Sequence, residues 1–209
     1  MRRVANLEFG AEGSQGLYGW IIQPVPEDAP SVDTRRLALL SVLTALCMGI
    51  QLMLRPMNAE FTSLIAFATG MVFGSLYGAS LGILVMFVNG FLSPYGFAGV
   101  VLPFQIIGMG AIGLVGGLYA TITHKSTRAG AFIEAAVLGA FLTFIYDVLT
   151  NVGTAVHFTL TGMSFNEALV AALVSGAVPA AIHVAWNTAL FGTISVPLVN
   201  AMHEMLAWR

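Results

Sequence analysis

Two pairs of polar side chains stand one helical turn apart in stretches that are otherwise almost uncharged: Asp147 with Asn151, and His183 with Asn187. At a spacing of four residues each pair shares a helix face. Thr143 and Thr154 extend the first face, and Trp186 stands beside the second. A carboxylate, an imidazole and amides can hold the polar edges of a small flat molecule, with an indole ring stacked on its face. The same Asp and His could equally form a proton relay or a buried structural pair. Gln51, Asn89 and Gln105 add three amides inside apolar runs, where the structural alternative is hydrogen bonding between helices. The four histidines are widely spaced and make no His-x-x-x-His pair, so neither a metal centre nor a cofactor is predicted.

The elements that carry these groups follow from composition. Of 209 residues, 57% are hydrophobic and only 9% charged, with a net charge of −2. An ordinary globular domain has about 25% charged residues, and eighteen charges are too few to cover a soluble protein of this length. A soluble enzyme, a nucleic-acid binder and a disordered chain are thereby excluded. The expected fold is an all-α membrane protein. A span needs about 20 apolar residues, and the apolar stretches give six candidates: 35–54, a short one at 61–74, 76–92, 100–123, 131–157 (interrupted by Glu134 and Asp147) and 168–200. The sixth is long for one upright crossing and contains Pro179, where a kink is expected. Continuous apolar runs, rather than alternating ones, argue against a β-barrel.

Lysine and arginine set the expected orientation. With six spans, both termini share a side with the 124–130 loop, and that side holds Arg2, Arg3, Arg35, Arg36, Lys125, Arg128 and Arg209. The opposite side holds only Arg55, so the N and C termini are read as cytoplasmic. Residues 1–34 form an acidic, proline-containing leader, read as cytoplasmic or interfacial. Residues 35–200 form the membrane domain, and 201–209 a short tail. The single cysteine, Cys47, permits no intrachain disulfide.

Depth adds a pattern. Counting about 1.5 Å per residue from the cytoplasmic end of each span puts Asn89 and Asn187 at roughly 20 Å, Gln51 and Asp147 at roughly 24 Å, and His183 at roughly 25 Å. Gln105 falls at roughly 27 Å and Asn151 at roughly 30 Å on the same count. All seven lie in the outer half, which predicts a vestibule that opens outward and closes near mid-membrane. Two outer loops adjoin it: 55–60, where Asn58 is a candidate ligand contact or helix N-cap, and 93–99, where Tyr95 sits in a small lid-like turn. No Lys or Arg belongs to the cluster, which favours a neutral or cationic ring compound over a strongly anionic one.

Small residues three or four apart let helices approach closely. They occur at Ser41, Ala45 and Gly49, at Gly110, Gly113 and Gly117, and at Ala168, Ala172, Gly176 and Ala180. No Walker sequence is present, so any ATP dependence must come from another chain.

The segments Gly70-Met71-Val72-Phe73-Gly74-Ser75-Leu76-Tyr77-Gly78-Ala79-Ser80-Leu81-Gly82 and Asn89-Gly90-Phe91-Leu92-Ser93-Pro94-Tyr95-Gly96 resemble the second-to-third-span region of substrate-binding S components of energy-coupling factor (ECF) vitamin transporters. Residues 144–151 and 183–191 are similar to the fifth and sixth spans of some members. The resemblance covers about Arg35 to Asn200. It implies a high-affinity binder of a vitamin-like small molecule in the plasma membrane of a prokaryote, with its pocket near the extracellular side. It also implies that the first span docks on a transmembrane coupling subunit, which carries two cytoplasmic ATPases. Where the family has Ala-x-x-x-Ala, this chain has Ser41-x-x-x-Ala45 followed by Ala45-x-x-x-Gly49, a departure in letter that keeps the small size. Two other readings compete. A self-sufficient proton-coupled carrier could use Asp147 and His183, but no inverted repeat is evident. An intramembrane hydrolase would need Ser80 beside His183, and the span assignment sets them at different depths.

Overall fold

A computed structural model describes residues 34–53, 59–122 and 128–207. The leader, Arg55, Asn58 and most of the 124–130 loop lie outside the described residues. Six α-helices account for nearly all that is described: α1 (Thr34–Gln51), α2 (Thr62–Phe73), α3 (Ser75–Leu92), α4 (Leu102–Ile122), α5 (Arg128–Thr159) and α6 (Phe165–Ala207). A 3-10 turn at Gly99–Val101 leads into α4. Each helix overlays one of the six predicted spans, with ends shifted by a few residues.

Four helices, Ser75–Leu92, Gly99–Ile122, Gly130–Thr159 and Phe165–Met205, are long and apolar enough to cross a membrane. Helix α2 is apolar but has 12 residues, a rise of about 18 Å at 1.5 Å per residue. Helix α1 begins with Arg35 and Arg36, which lower its hydropathy. Helix α6 differs most from expectation. It runs as one helix of 43 residues through Pro179 and Pro197, and takes in residues 201–207 that the sequence sets aside as a tail.

Local chemistry fixes the ends. Gly74 makes the turn from α2 to α3 at φ 104°, a conformation side chains disfavour. Glu167 accepts hydrogen bonds from the Ser164 N–H (3.2 Å) and the Ser164 hydroxyl (2.7 Å) where α6 begins. That is one half of a capping box. Pro103 lies in the first turn of α4, where no intrahelical N–H bond is lost.

Helix α5 packs along α6 for much of its length, while α3 and α2 pack on α4. Phe67 and Phe191, both fully buried, meet at 5.3 Å between ring centres in the middle of the bundle. The surface carries large apolar side chains throughout, among them Leu76, Ile107, Ile122, Phe141 and Val174. A surface of this kind suits lipid as its solvent.

At one end of the bundle, Arg35 donates to the Met205 carbonyl and Tyr119 donates to Glu134 at 2.8 Å. The other end gathers Gln51, residues 59–63, the 93–98 turn and the first residues of α4. The candidate site lies there.

Candidate functional site

Glu60 organises this end. It precedes α2, and its carboxylate accepts the Ser63 N–H at 3.0 Å (Oε2) and 3.3 Å (Oε1), which satisfies a donor at the helix start. Its Oε1 also accepts the Asn187 side-chain N–H at 3.1 Å and faces His183 Nε2 at 3.4 Å. The backbone carbonyl of Glu60 accepts the Trp186 indole N–H at 3.1 Å. The start of α2 is thereby pinned to α6.

His183 is held from both sides. Its Nδ1 stands 2.8 Å from Asp147 Oδ1 on α5 while Nε2 faces Glu60. The ring is 2% exposed and Asp147 6%. Asn187 donates a second bond to the Thr143 hydroxyl at 3.0 Å, joining α6 to α5 one turn below. Tyr146 packs edge-on against His183 at 5.9 Å, and its hydroxyl reaches Met86 sulfur at 3.7 Å. On the first helix, Gln51 donates to the Thr62 hydroxyl at 2.8 Å.

These groups border a cavity of about 570 Å³, within the range of about 300–1,000 Å³ typical of small-molecule sites. Its polar lining includes Gln51, Glu60, Asn89, Gln105, Asp147, Thr150 and His183. Met86, Met109, Val101, Phe97 and Tyr146 supply apolar and aromatic wall. The turn at 93–98 closes one side. It is tightened by the Ala98 N–H on Gly90 O (2.9 Å) and by Gly96 at φ 99°, and it presents Ser93 and Tyr95 to the cavity. Among the described residues no Lys or Arg lines it.

Of the residues singled out in the sequence, Gln51, Asn89, Tyr95, Gln105, Asp147 and His183 share this lining. Asn187 stands behind it as a bridge and is fully buried. Two residues point elsewhere. Trp186 lies outside the lining, with its ring edge-on to Phe61 at 5.9 Å and its N–H engaged by Glu60. Asn151 faces α6, where its amide lies against Gly176 and fills the space a side chain there would need. Asn58 lies outside the described residues. His183 turns both nitrogens to carboxylates rather than to Ser80.

Sequence reasoning missed Glu60, Thr150 and the two methionines. Glu60 carried one usable signal: an acid placed two residues before a charge-free apolar helix, where a carboxylate can satisfy the first N–H groups.

The first helix turns a different face outward. Leu40, Cys47 and Gln51 are its buried residues, while Ser41, Ala45 and Gly49 are exposed along with Val42 and Leu46. The other small-residue stripes are internal. Gly113 and Gly117 meet α2 and α3, and Ala168 and Ala172 are buried with Ala155 of α5.

No curated protein and no solved structure matches the chain. The family profile described as ECF transporter, substrate-specific component, matches residues 35–201, most of the chain and all six helices up to the last turns of α6. The chain therefore belongs to the substrate-specific component family of ECF transporters, the membrane subunits that bind substrate and associate with transmembrane and ATPase subunits.

Proposed function

We propose that this protein is the capture subunit of an ATP-driven uptake transporter in a prokaryotic plasma membrane, and that its cavity holds a vitamin-like ring compound, neutral or cationic. The observation that carries this reading is the cavity itself. Amides, hydroxyls, a carboxylate and an imidazole from α1, α3, α4, α5 and α6 converge on a space of small-molecule size. Methionine and aromatic walls complete it, and such a mix of apolar surface with few placed polar groups is what small-molecule sites share. In this reading the termini are cytoplasmic and the cavity opens outward. Gln51, Asn89, Tyr95, Gln105, Asp147 and His183 touch substrate, and Asn187 and Glu60 hold them in place. Asn151 and Trp186 support the helices around the cavity.

The exposed Ser41, Ala45 and Gly49 stripe docks on the transmembrane coupling subunit, with two ATPases beneath. An added side chain at Gly49 would meet nothing within 4 Å among the described residues, and such an open small-residue stripe suits a close-packed partner helix. The test is reconstitution. Ala45→Trp is expected to leave substrate binding by the isolated chain unchanged while abolishing co-purification with the coupling subunit and ATP-dependent uptake. Uptake by this chain alone, driven by a proton gradient, would overturn the reading.

A further inference from the structure

The two carboxylates of the site differ in how far their oxygens are satisfied, and the difference bears on what the cavity binds. Both Glu60 oxygens are partnered: Oε2 accepts the Ser63 N–H, and Oε1 meets Asn187 Nδ2, His183 Nε2 and, at 3.3 Å, the same Ser63 N–H. Asp147 gives Oδ1 to His183 at 2.8 Å, while its Oδ2 is buried without a partner in the cavity wall. A carboxylate oxygen can only accept, so a buried one without a donor is costly. Asn89 Oδ1 and Gln105 Oε1 are likewise buried, unpartnered and borne by cavity-lining residues. An amide could rotate to present N–H instead, whereas Asp147 has no such freedom.

Charge points the same way. Each ring nitrogen of His183 faces a carboxylate oxygen, and a hydrogen bond on each side takes one proton per contact. An imidazolium and two carboxylates sum to one net negative charge. Moving either shared proton along its hydrogen bond leaves that sum unchanged. Among the described residues no cation lines the cavity to offset it. An unbalanced charge at this depth in a bundle is unfavourable until something neutralises it.

We propose that the ligand is an organic cation with at least two N–H donors, one N–H resting on Asp147 Oδ2 and another on Asn89 Oδ1 or Gln105 Oε1. The proposal rests on the cavity being the substrate site and narrows its substrate class. Glu60 acts as a positioning residue through His183, whose contact with Oδ1 fixes the Asp147 carboxylate so that its free oxygen faces the ligand.

The test uses three isosteric ring probes on the purified full chain in nanodiscs: benzamidinium, benzamide and benzoate, at millimolar concentrations, read by equilibrium binding. Benzamidinium is expected to bind more tightly than benzamide by about tenfold or more, with benzoate weakest. Asp147→Asn should erase the preference and Asp147→Glu should retain it. If Asp147→Asn does not fold, the wild-type series alone decides. Equal binding of benzamide, or tighter binding of benzoate, overturns the cation while leaving the cavity in place, provided Val101→Trp blocks that binding. Probe binding that survives Val101→Trp, or no binding by any probe, overturns the cavity reading and the cation together.

Discussion

Along α2, α3 and α4 the helices touch backbone to backbone, whereas around the cavity α5, α6 and the residue ahead of α2, Glu60, are joined through polar side chains. In the first region glycine makes the contact. A methyl group at Gly113 would collide with the Gly78 carbonyl, one at Gly116 with the Phe67 carbonyl, and one at Gly117 with the backbone of Ser75. Such a seam is held by close packing and leaves no room for a ligand. In the second region Glu60, Asp147, His183 and Asn187 span the gap by hydrogen bonds of 2.8 to 3.4 Å, and space remains between them. The contrast teaches a division of labour. A rigid three-helix wall backs the site, and a polar lattice of long sequence range defines its floor.

The comparison can be broken most forcefully at the seam. Gly113→Leu places a branched side chain where a backbone carbonyl already sits, and neither partner helix can yield. No monodisperse folded protein is expected from detergent extracts by size-exclusion chromatography. Wild-type behaviour would mean that the helices are not in backbone contact.

The next largest effect lies in the lattice. Glu60→Ala removes the acceptor shared by Asn187, Ser63 and His183 and leaves a buried, half-paired His–Asp unit. Breaking a buried ionic network in this way costs about 3–5 kcal/mol. Thermal unfolding in detergent should report it, with weaker ligand binding as a secondary loss. Glu60→Gln keeps the carbonyl acceptor and should recover part of the stability. A thermal midpoint unchanged in Glu60→Ala would show that the lattice is ornamental.

The smallest effect belongs to neither region. Tyr119→Phe deletes the hydrogen bond to Glu134 at the far end of the bundle, where both side chains are solvent-accessible. It should cost about 1 kcal/mol or less, and ligand affinity should not move. A change in affinity would couple the two ends in a way the static contacts do not suggest.

The two regions also differed in how legible they were. The helices were readable because a charge-free run of about 20 residues has few alternatives, and small residues three and four apart identified Gly110, Gly113 and Gly117 as a packing face. Asp147 and His183 stood out because an ionisable group in such a run must be paired or face water. The structure supplies the pairing, across 36 positions of sequence. Glu60 lies 123 positions from His183, and in the sequence it reads as a loop acid beside Arg55 and Pro56. No spacing rule links a loop residue to a helix that distant. The four-residue rule also overreached: Asn151 and Asp147 share a face in α5, but only part of that face meets the cavity. The rest is taken up by α6, which lies along it.

On the function proposed above, substrate sits in the cavity between Asp147, Gln105 and the 93–98 turn. Val101 lines it from the 3-10 turn, so Val101→Trp fills the space without touching the lattice or the seam. The most direct measurement is mass spectrometry of small molecules retained on the wild-type protein and on Val101→Trp after mild purification from native membranes. One ring compound is expected, held by the wild type and lost from Val101→Trp, with both proteins equally well folded. The same compound retained by both, or by neither, would contradict the proposed function.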